Sequence, residues 1–161
     1  MNTLAIILMG SRGDLEHARK IAAALADFGV EVALRIGSAH RTPEHALAIL
    51  RHYEADPRPK VYITIAGRSN ALSGFTDPQV SAPVIACPPP SESFGGADVF
   101  SSLRLPSGVA SAVVLEPVNA AILAAKILGL ADPGVRDKVV AYQRQAAAKI
   151  LSDDADINPG R

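Results

Sequence analysis

Residue types that mark several protein classes are scarce in this sequence of 161 residues. It has one cysteine, Cys87, so an intrachain disulfide is excluded and a reducing compartment is indicated. Basic and acidic residues balance at 16 each, which excludes the basic surface of a nucleic-acid-binding protein. No apolar run reaches the roughly 18 residues of a membrane helix. We therefore expect a cytoplasmic protein that binds neither nucleic acid nor a membrane.

The motifs of several common active sites are also missing. Pro43 separates His40 from His45, and Cys87 is the only thiol, so no metal site and no cofactor are expected. No tryptophan is present to flank a flavin ring. The chain has no G-x-S-x-G elbow of a hydrolase and no Walker or dinucleotide-binding glycine pattern. Any catalysis is therefore expected to use amino-acid side chains alone, without a metal or cofactor.

What the sequence does contain is a regular alternation of apolar runs and amphipathic segments. Strands are predicted at residues 3–9, 30–36, 60–66, 82–88 and 110–116, and helices at 14–29, 43–55, 117–130 and 132–154. The runs are apolar throughout, as expected for a sheet covered on both faces. This order predicts a three-layer α/β/α, flavodoxin-like fold with a five-stranded parallel sheet. Residues 1–161 are expected to form a single domain.

Capping residues mark the starts of the first two helices, and the last helix differs from the others in its position. Asp14 is the expected N-cap of the first helix, and Thr42 precedes a second helix that begins with Pro43. The extra C-terminal helix, within residues 130–154, follows after the sheet is complete and still carries apolar side chains. It packs either on a neighbouring subunit or on its own domain, and the pattern alone favours neither.

Small and polar residues follow four of the predicted strands. They form the segments "GSRGD" (10–14), "GSAHRT" (37–42), "GRSNALSG" (67–74) and "PPPSESFGG" (88–96). Because parallel strands end at the same edge of a sheet, where ligands bind in open α/β folds, these four loops predict one site.

The first two loops indicate the chemistry of that site. Glycines ahead of a helix let backbone amides approach an anion such as phosphate, although a tight turn with Asp14 as a plain helix cap is the alternative. In the second loop, Arg41 and Ser38 suit a phosphate group. A histidine such as His40 can move a proton near neutral pH.

Five motifs together resemble the phosphoribosylaminoimidazole carboxylase family of purine biosynthesis. They are "MGSRGD", "SAHRTP", "AGRSNALSG", "LRLPSG" (103–108) and "NAAILAAKIL" (119–128), and they occur in order over almost the whole chain. One difference is Gly13, where the family often has a serine. A hydroxyl contact is lost there, but backbone amides can still serve a phosphate.

The family has two branches, which differ in the third loop. One branch is a mutase that moves a carboxyl group within N5-carboxyaminoimidazole ribonucleotide and has a histidine in that loop. The other adds carbon dioxide directly to aminoimidazole ribonucleotide. Residues 66–70 read "AGRSN", without a histidine, and residues 87–108 also resemble the second branch. The resemblance therefore favours the direct carboxylase over the mutase, and over a non-catalytic nucleotide-binding module of the same fold.

The resemblance implies a lyase that uses aminoimidazole ribonucleotide and carbon dioxide, without ATP, metal or biotin, and that assembles as a homo-octamer. It also implies a role for eight residues. The catalytic residue is His40, the phosphate ligands are Ser11, Ser38 and Arg41, the ribose ligand is Asp14, and the residues near the base are Gly67, Ser69 and Asn70.

Overall fold

The computed structural model describes residues 2–158 and contains a parallel sheet of five strands. The strands are β1 (Leu4–Met9), β2 (Glu31–Ile36), β3 (Lys60–Ile65), β4 (Val84–Ala86) and β5 (Ala112–Val113). Their order in the sheet is β2-β1-β3-β4-β5, which is the flavodoxin-like order. From β1, the chain adds β2 on one side and β3, β4 and β5 on the other, so the topological switch point lies between β1 and β3. The loops that follow these two strands flank that point.

Helices cover both faces of the sheet. They are α1 (Leu15–Asp27), α2 (Pro43–Glu54), α3 (Ala71–Thr76), α4 (Pro117–Leu128) and α5 (Pro133–Ile157). Side chains alternate along the interior strand β1, so Ile7 packs with α1 and α4 whereas Ile6 and Leu8 pack with α2. The predicted three-layer architecture is confirmed. Within residues 2–158, no helix is both long and apolar enough to cross a membrane.

The expectation that every strand is covered on both faces is wrong for β2. This strand pairs with β1 on one side and forms an edge of the sheet. Its side chains are exposed or half-buried, and Leu34 and Ile36 retain 39% and 44% of their accessible surface. An edge strand lies at the margin of the covering helices, which a pattern of apolar residues does not reveal.

The fourth and fifth strands are shorter than predicted. Pro83 precedes β4 and Pro88 follows it closely, and proline has no backbone N–H to donate to a ladder. Because β4 has only three residues, β5 pairs with it through just Ala112 and Val113. The surrounding residues of the predicted runs form loops that lead to and from the sheet edge.

The extra C-terminal helix is present and divides into two parts. At its start, Val135 and Val139 are buried against α1 and α4, and the Tyr142 ring meets Phe28 edge-on at 5.6 Å. Residues 140–157 are all exposed. The first part, up to Tyr142, thus packs on its own domain, while residues 143–157 are exposed and have no cover within the described residues. Packing on a neighbouring subunit stays a prediction for this second part.

Candidate active site

An open cleft of about 700 Å³ lies at the carboxyl ends of the strands. It is lined by three predicted loops and by the start of the fourth. The lining residues are Gly10, Ser11, Gly13, Asp14, Ser38, Ala39, His40, Arg41, Ala66, Gly67, Arg68, Ser69, Leu72, Pro89 and Pro90. Seven of the eight residues predicted for the site are therefore brought together here, and Asn70 is the exception. The cleft sits where the strand order reverses, as ligand sites do in this class of fold.

The first loop is held by a reciprocal pair of side chains, Ser11 and Asp14. Ser11 caps a 3₁₀ turn at Arg12–Asp14, and its Oγ accepts a hydrogen bond from the Gly13 amide at 3.2 Å. The buried Asp14 carboxylate accepts from the Ser11 backbone N–H at 2.9 Å and from the Ser11 hydroxyl at 3.2 Å. This is a capping box, which fixes both side chains.

Asp14 occupies the N-cap position of α1, as predicted, but its side chain does not cap the helix. Asp14 precedes Leu15 at the helix start, but its carboxylate makes no hydrogen bond to the first turn of α1. It turns back to Ser11, because the 3₁₀ turn places the serine amide and hydroxyl within its reach. Both bonds are accepted by Oδ2. The loop geometry therefore orients the other carboxylate oxygen independently of the helix.

The second loop is tied to the first through Arg41. The Arg41 guanidinium donates from Nη2 to the Gly10 carbonyl at 3.1 Å, across 31 positions of the chain. Its backbone N–H donates to Ser38 Oγ at 3.2 Å, and the Ser38 amide donates to Thr42 Oγ1 at 3.0 Å. Thr42 occupies the N-cap position of α2, as predicted, but its hydroxyl is used by Ser38 instead of by the helix amides.

His40 lies at the crest of this second loop. Its side chain is exposed and lines the cleft between Ala39 and Arg41. Within residues 2–158 it makes no hydrogen bond, in contrast to Ser38 and Arg41 on either side. Ser38 and Arg41 thus order the loop, and the imidazole of His40 is accessible to a ligand in the cleft.

The third loop approaches the first very closely at Gly67. A Cβ atom at this position would lie 3.4 Å from Asp14 Oδ1 and 3.3 Å from Pro89 Cγ. Any larger side chain would push the loop away from these neighbours, so glycine sets the width of the cleft here. The next two residues, Arg68 and Ser69, are exposed and line the cleft.

Asn70 is buried and faces away from the cleft. Its Oδ1 accepts from the Ser73 amide at 3.3 Å and caps α3, while its Nδ2 donates to Ser102 Oγ at 2.9 Å. Its backbone N–H donates to Ser101 Oγ at 3.0 Å. These bonds join the third loop to the segment Ser93–Ser102, so in the structure the Asn70 side chain acts as a structural link.

A second, smaller cavity of about 270 Å³ adjoins the cleft. The two share Ala66, Gly67, Arg68, Pro89 and Pro90. The remaining walls come from the fourth loop and from the start of α4, and they are Pro88, Ser91, Gly96, Asp98, Val99, Leu115 and Glu116. Most of the surface of this second cavity is apolar, with charged groups at its margins.

His17 on α1 contacts Cys87, which follows β4. His17 Nε2 lies 3.3 Å from Cys87 Sγ, at the carboxyl end of β4. Burial, assisted by the nearby carboxylate of Glu116, raises the pKa of the Cys87 thiol to about 12. Burial also lowers the pKa of His17. Both groups are therefore neutral at physiological pH, and the Cys87 thiol is buried.

Sequence reasoning did not single out Arg68, Leu72, Pro89 or Pro90. Pro89 and Pro90 belong to the predicted fourth loop, and the position of that loop at the same edge of the sheet is the signal that marks them. Arg68 stands within the "AGRSN" segment, between the predicted site residues Gly67 and Ser69. Leu72 reads as an ordinary core residue, and no pattern in the sequence marks it as part of a cleft.

Comparison with known proteins identifies the family. A family model described as AIR carboxylase matches residues 4–149. The chain belongs to the AIR carboxylase family. The predicted resemblance is thereby confirmed, and the match covers every strand and every loop that lines the cleft.

Curated members of the AIR carboxylase family are similar over nearly all of this chain. Phosphoribosylaminoimidazole carboxylase of Treponema denticola is 59% identical, and the alignment covers 98% of this chain and 99% of that protein. The enzyme of the same name from Archaeoglobus fulgidus is 54% identical over 95% of this chain and 84% of its own length. A human bifunctional phosphoribosylaminoimidazole carboxylase/phosphoribosylaminoimidazole succinocarboxamide synthetase is 44% identical over 83% of this chain, but over only 32% of its own length.

A solved structure of the AIR carboxylase family agrees with the fold. The crystal structure of Treponema denticola PurE superposes with a TM-score of 0.95 at 59% identity. The superposition covers 96% of this chain and 98% of that one. The fold is thus that of an experimentally determined relative.

Proposed function

We propose that this protein is a phosphoribosylaminoimidazole carboxylase that adds carbon dioxide directly to aminoimidazole ribonucleotide. The observation that carries the proposal is that His40, Arg41 and Asp14 line one cleft, at the point of the sheet where the strand order switches sides. The names of the Treponema and Archaeoglobus relatives support it. The third loop, Gly67-Arg68-Ser69-Asn70 without a histidine, favours direct carboxylation over the mutase reaction.

Three loops would bind the ribonucleotide. The Arg41 guanidinium and the Ser38 hydroxyl, held beside Gly10, suit the phosphate. Ser11 would contribute from the facing loop, although its hydroxyl proton is engaged with Asp14. The second carboxylate oxygen of Asp14 is oriented to accept from a ribose hydroxyl, because both hydrogen bonds from Ser11 go to Oδ2.

The third loop would lie against the aminoimidazole ring. Gly67 allows the ring to approach the backbone, and Ser69 offers a hydroxyl at the cleft surface. Asn70 was predicted as a direct ligand, and its hydrogen bonds to Ser73 and Ser102 favour a supporting role in this loop. Phosphate binding at the far end would supply the energy that orients the ring.

The reaction requires a group that removes a proton from a ring carbon. The electron-rich C4 attacks the carbon of CO₂, so a C–C bond forms while one C=O electron pair moves to oxygen and gives a carboxylate. C4 is then tetrahedral and still carries its hydrogen. His40 accepts that proton, and the C–H electron pair returns to the ring and restores its aromaticity. In the reverse direction, protonated His40 returns the proton before CO₂ leaves.

Confinement is the other requirement, because CO₂ offers few groups to bind. The site must therefore hold CO₂ next to C4, because positioning matters more here than tight binding. Exclusion of water would protect the adduct. No metal, ATP or biotin is needed for an attack by an enamine-like carbon, and we propose none.

A direct assay tests the proposed activity. Purified protein is mixed with aminoimidazole ribonucleotide and bicarbonate-derived CO₂, without ATP, and the carboxylated product is measured. Rapid formation of product supports the carboxylase. Activity that appears only with N5-carboxyaminoimidazole ribonucleotide identifies a mutase and contradicts the proposal, as does inactivity with both substrates.

We further infer a single-domain, cytoplasmic enzyme that assembles as a homo-octamer. Support comes from large apolar side chains left on the surface, among which Phe94 and Leu130 are 89% and 88% exposed. The exposed second part of α5 adds Ile150 and Leu151. With a formal net charge of zero, repulsion between copies would not oppose assembly.

A further inference from the structure

Two guanidinium groups line the cleft, and they differ in their partners. Arg41 donates from Nη2 to the Gly10 carbonyl and belongs to the wall formed by the first two loops. Arg68 has an exposed side chain and makes no hydrogen bond or ion pair within residues 2–158. It lines both the cleft and the adjoining cavity, so it stands where the two spaces meet. Arg68 is therefore a cation that the fold does not use.

The backbone on both sides of Arg68 is fixed. Gly67 lies against Asp14 and Pro89 so closely that an added Cβ would be 3.4 and 3.3 Å from their atoms. Asn70 is anchored two positions later by its bonds to Ser73 and Ser102. The Arg68 side chain is exposed, and it starts from a defined point on the cleft wall.

The chemistry of the proposed reaction creates a need for such a cation. Carboxylation turns neutral CO₂ into a carboxylate, which adds one negative charge to a ligand that already carries a phosphate. The buried carboxylate of Asp14 in the same cleft makes this additional charge less favourable. A guanidinium group offers paired N–H donors that match the two oxygens of a carboxylate.

We propose that Arg68 binds the carboxylate that forms at C4, an inference that rests on the proposed function. Aminoimidazole ribonucleotide has no carboxylate, so Arg68 contributes little when this substrate binds. The interaction develops as CO₂ bends and gains charge, and it is complete in the product. Because it strengthens toward the transition state, it increases kcat and leaves KM for the ribonucleotide almost unchanged.

The test compares two ligands that differ only in the carboxylate. Calorimetry gives the dissociation constants of aminoimidazole ribonucleotide and of its 4-carboxylated product for the wild type and for Arg68→Gln. We expect Arg68→Gln to weaken binding of the carboxylated product by about tenfold or more, as for loss of hydrogen bonds to a charged group. Binding of the uncarboxylated ribonucleotide should hardly change, and kcat should fall with little change in KM.

Two further variants sharpen the comparison. Arg68→Lys keeps the charge but loses the paired donors, so it should fall between the wild type and Arg68→Gln. Arg19→Gln removes an exposed guanidinium on α1, paired only with Glu16, and should leave both affinities unchanged. Equal weakening of the two ligands by Arg68→Gln, or no weakening of either, would overturn the inference. A wild type that binds both ligands but fails to carboxylate contradicts the proposed function instead, while the ratio of affinities still tests Arg68.

Discussion

Hydrogen bonding divides the side chains of the cleft into those that hold the loops and those left for a ligand. Ser11 and Asp14 are bonded to each other within the first loop, and the Ser38 hydroxyl accepts from the Arg41 backbone amide within the second. His40 and Arg68 have no hydrogen-bond partner within residues 2–158. The first group gives the cleft its shape, so the second group can carry chemistry without any loss of local structure.

His40→Asn tests the proton transfer. Asparagine preserves a polar side chain of similar reach but cannot take up a proton, so kcat should fall by about 100- to 10,000-fold. Calorimetric binding of aminoimidazole ribonucleotide should be nearly unchanged, because Arg41, Ser38 and Asp14 remain. His45→Asn, on the exposed surface of α2, is the matched control and should leave turnover intact. Near-wild-type turnover of His40→Asn would show that another group moves the proton.

The buried thiol of Cys87 makes a separate prediction about pH. Its pKa is raised from 9.0 to about 12 in the folded protein, chiefly by burial. The protonated form is therefore favoured in the fold, and its stabilisation is complete below about pH 9 and lost as the pH rises toward 12. We expect the urea midpoint of the wild type to fall more steeply above pH 9 than that of Cys87→Ala. Parallel pH profiles for the two proteins would exclude this linkage.

Two long-range side-chain hydrogen bonds connect the loops of the cleft to other parts of the chain and fix their positions. Arg41 joins the end of β2 to the end of β1 through the Gly10 carbonyl. Asn70 joins the end of β3 to the segment Ser93–Ser102. Each link spans about thirty positions of the chain, so each becomes possible only after the parallel sheet has formed.

The link between Asn70 and Ser102 can be measured by a double-mutant cycle. Asn70→Ala removes the α3 cap and a buried hydrogen bond, and should lower the free energy of unfolding by about 2 kcal/mol. Ser102→Ala should cost about 1 to 2 kcal/mol, because it leaves Asn70 Nδ2 without its buried acceptor. The double variant should cost less than the sum, with a coupling of at least about 0.5 kcal/mol.

Urea unfolding at a fixed protein concentration provides these values. Ser107→Ala changes an exposed serine of the following loop and should leave the urea midpoint where it is. Strict additivity of Asn70→Ala and Ser102→Ala would mean that the two side chains do not support each other. Their bond would then not be what fixes the third loop.

Apolar runs and helix caps predicted the order of the elements, since both are local properties of the chain. The edge position of β2 was not predictable, because Leu34 and Ile36 look like core residues in any apolar run. The shortening of β5 depends on the prolines around β4, which act through strand pairing. The role of Asp14 depends on a 3₁₀ turn that its sequence does not distinguish from a plain helix start.

The candidate site was predicted largely because parallel strands share one edge. Seven of the eight residues lie in a single cleft, since each directly follows a strand or begins the helix after it. Asn70 follows a strand as well, yet its side chain turns inward to Ser73 and Ser102. The direction of a side chain within a loop is set by partners distant in sequence, and residue type alone does not give it.

At the scale of the whole molecule, helix α5 has two parts, of which only the first packs on the rest of the domain. Val135 and Val139 are buried, whereas residues 140–157 are exposed throughout. The apolar side chains Ile150 and Leu151 lie in the exposed part, next to charged residues such as Lys149 and Asp153, which pair along the helix. Helical segments without tertiary packing are only marginally stable in water, so contact with another surface would stabilise this part of α5.

Ile150→Glu combined with Leu151→Glu tests whether that surface is another copy of the chain. If the exposed part of α5 packs on a neighbour, two carboxylates would be buried there, and light scattering should show a species smaller than an octamer at micromolar concentration. Gln145→Glu adds a charge at a polar, exposed position of the same helix and should leave the mass unchanged. If the helix end is free in solution, the double substitution alters only exposed side chains, and the mass of the assembly would be the same in all three proteins.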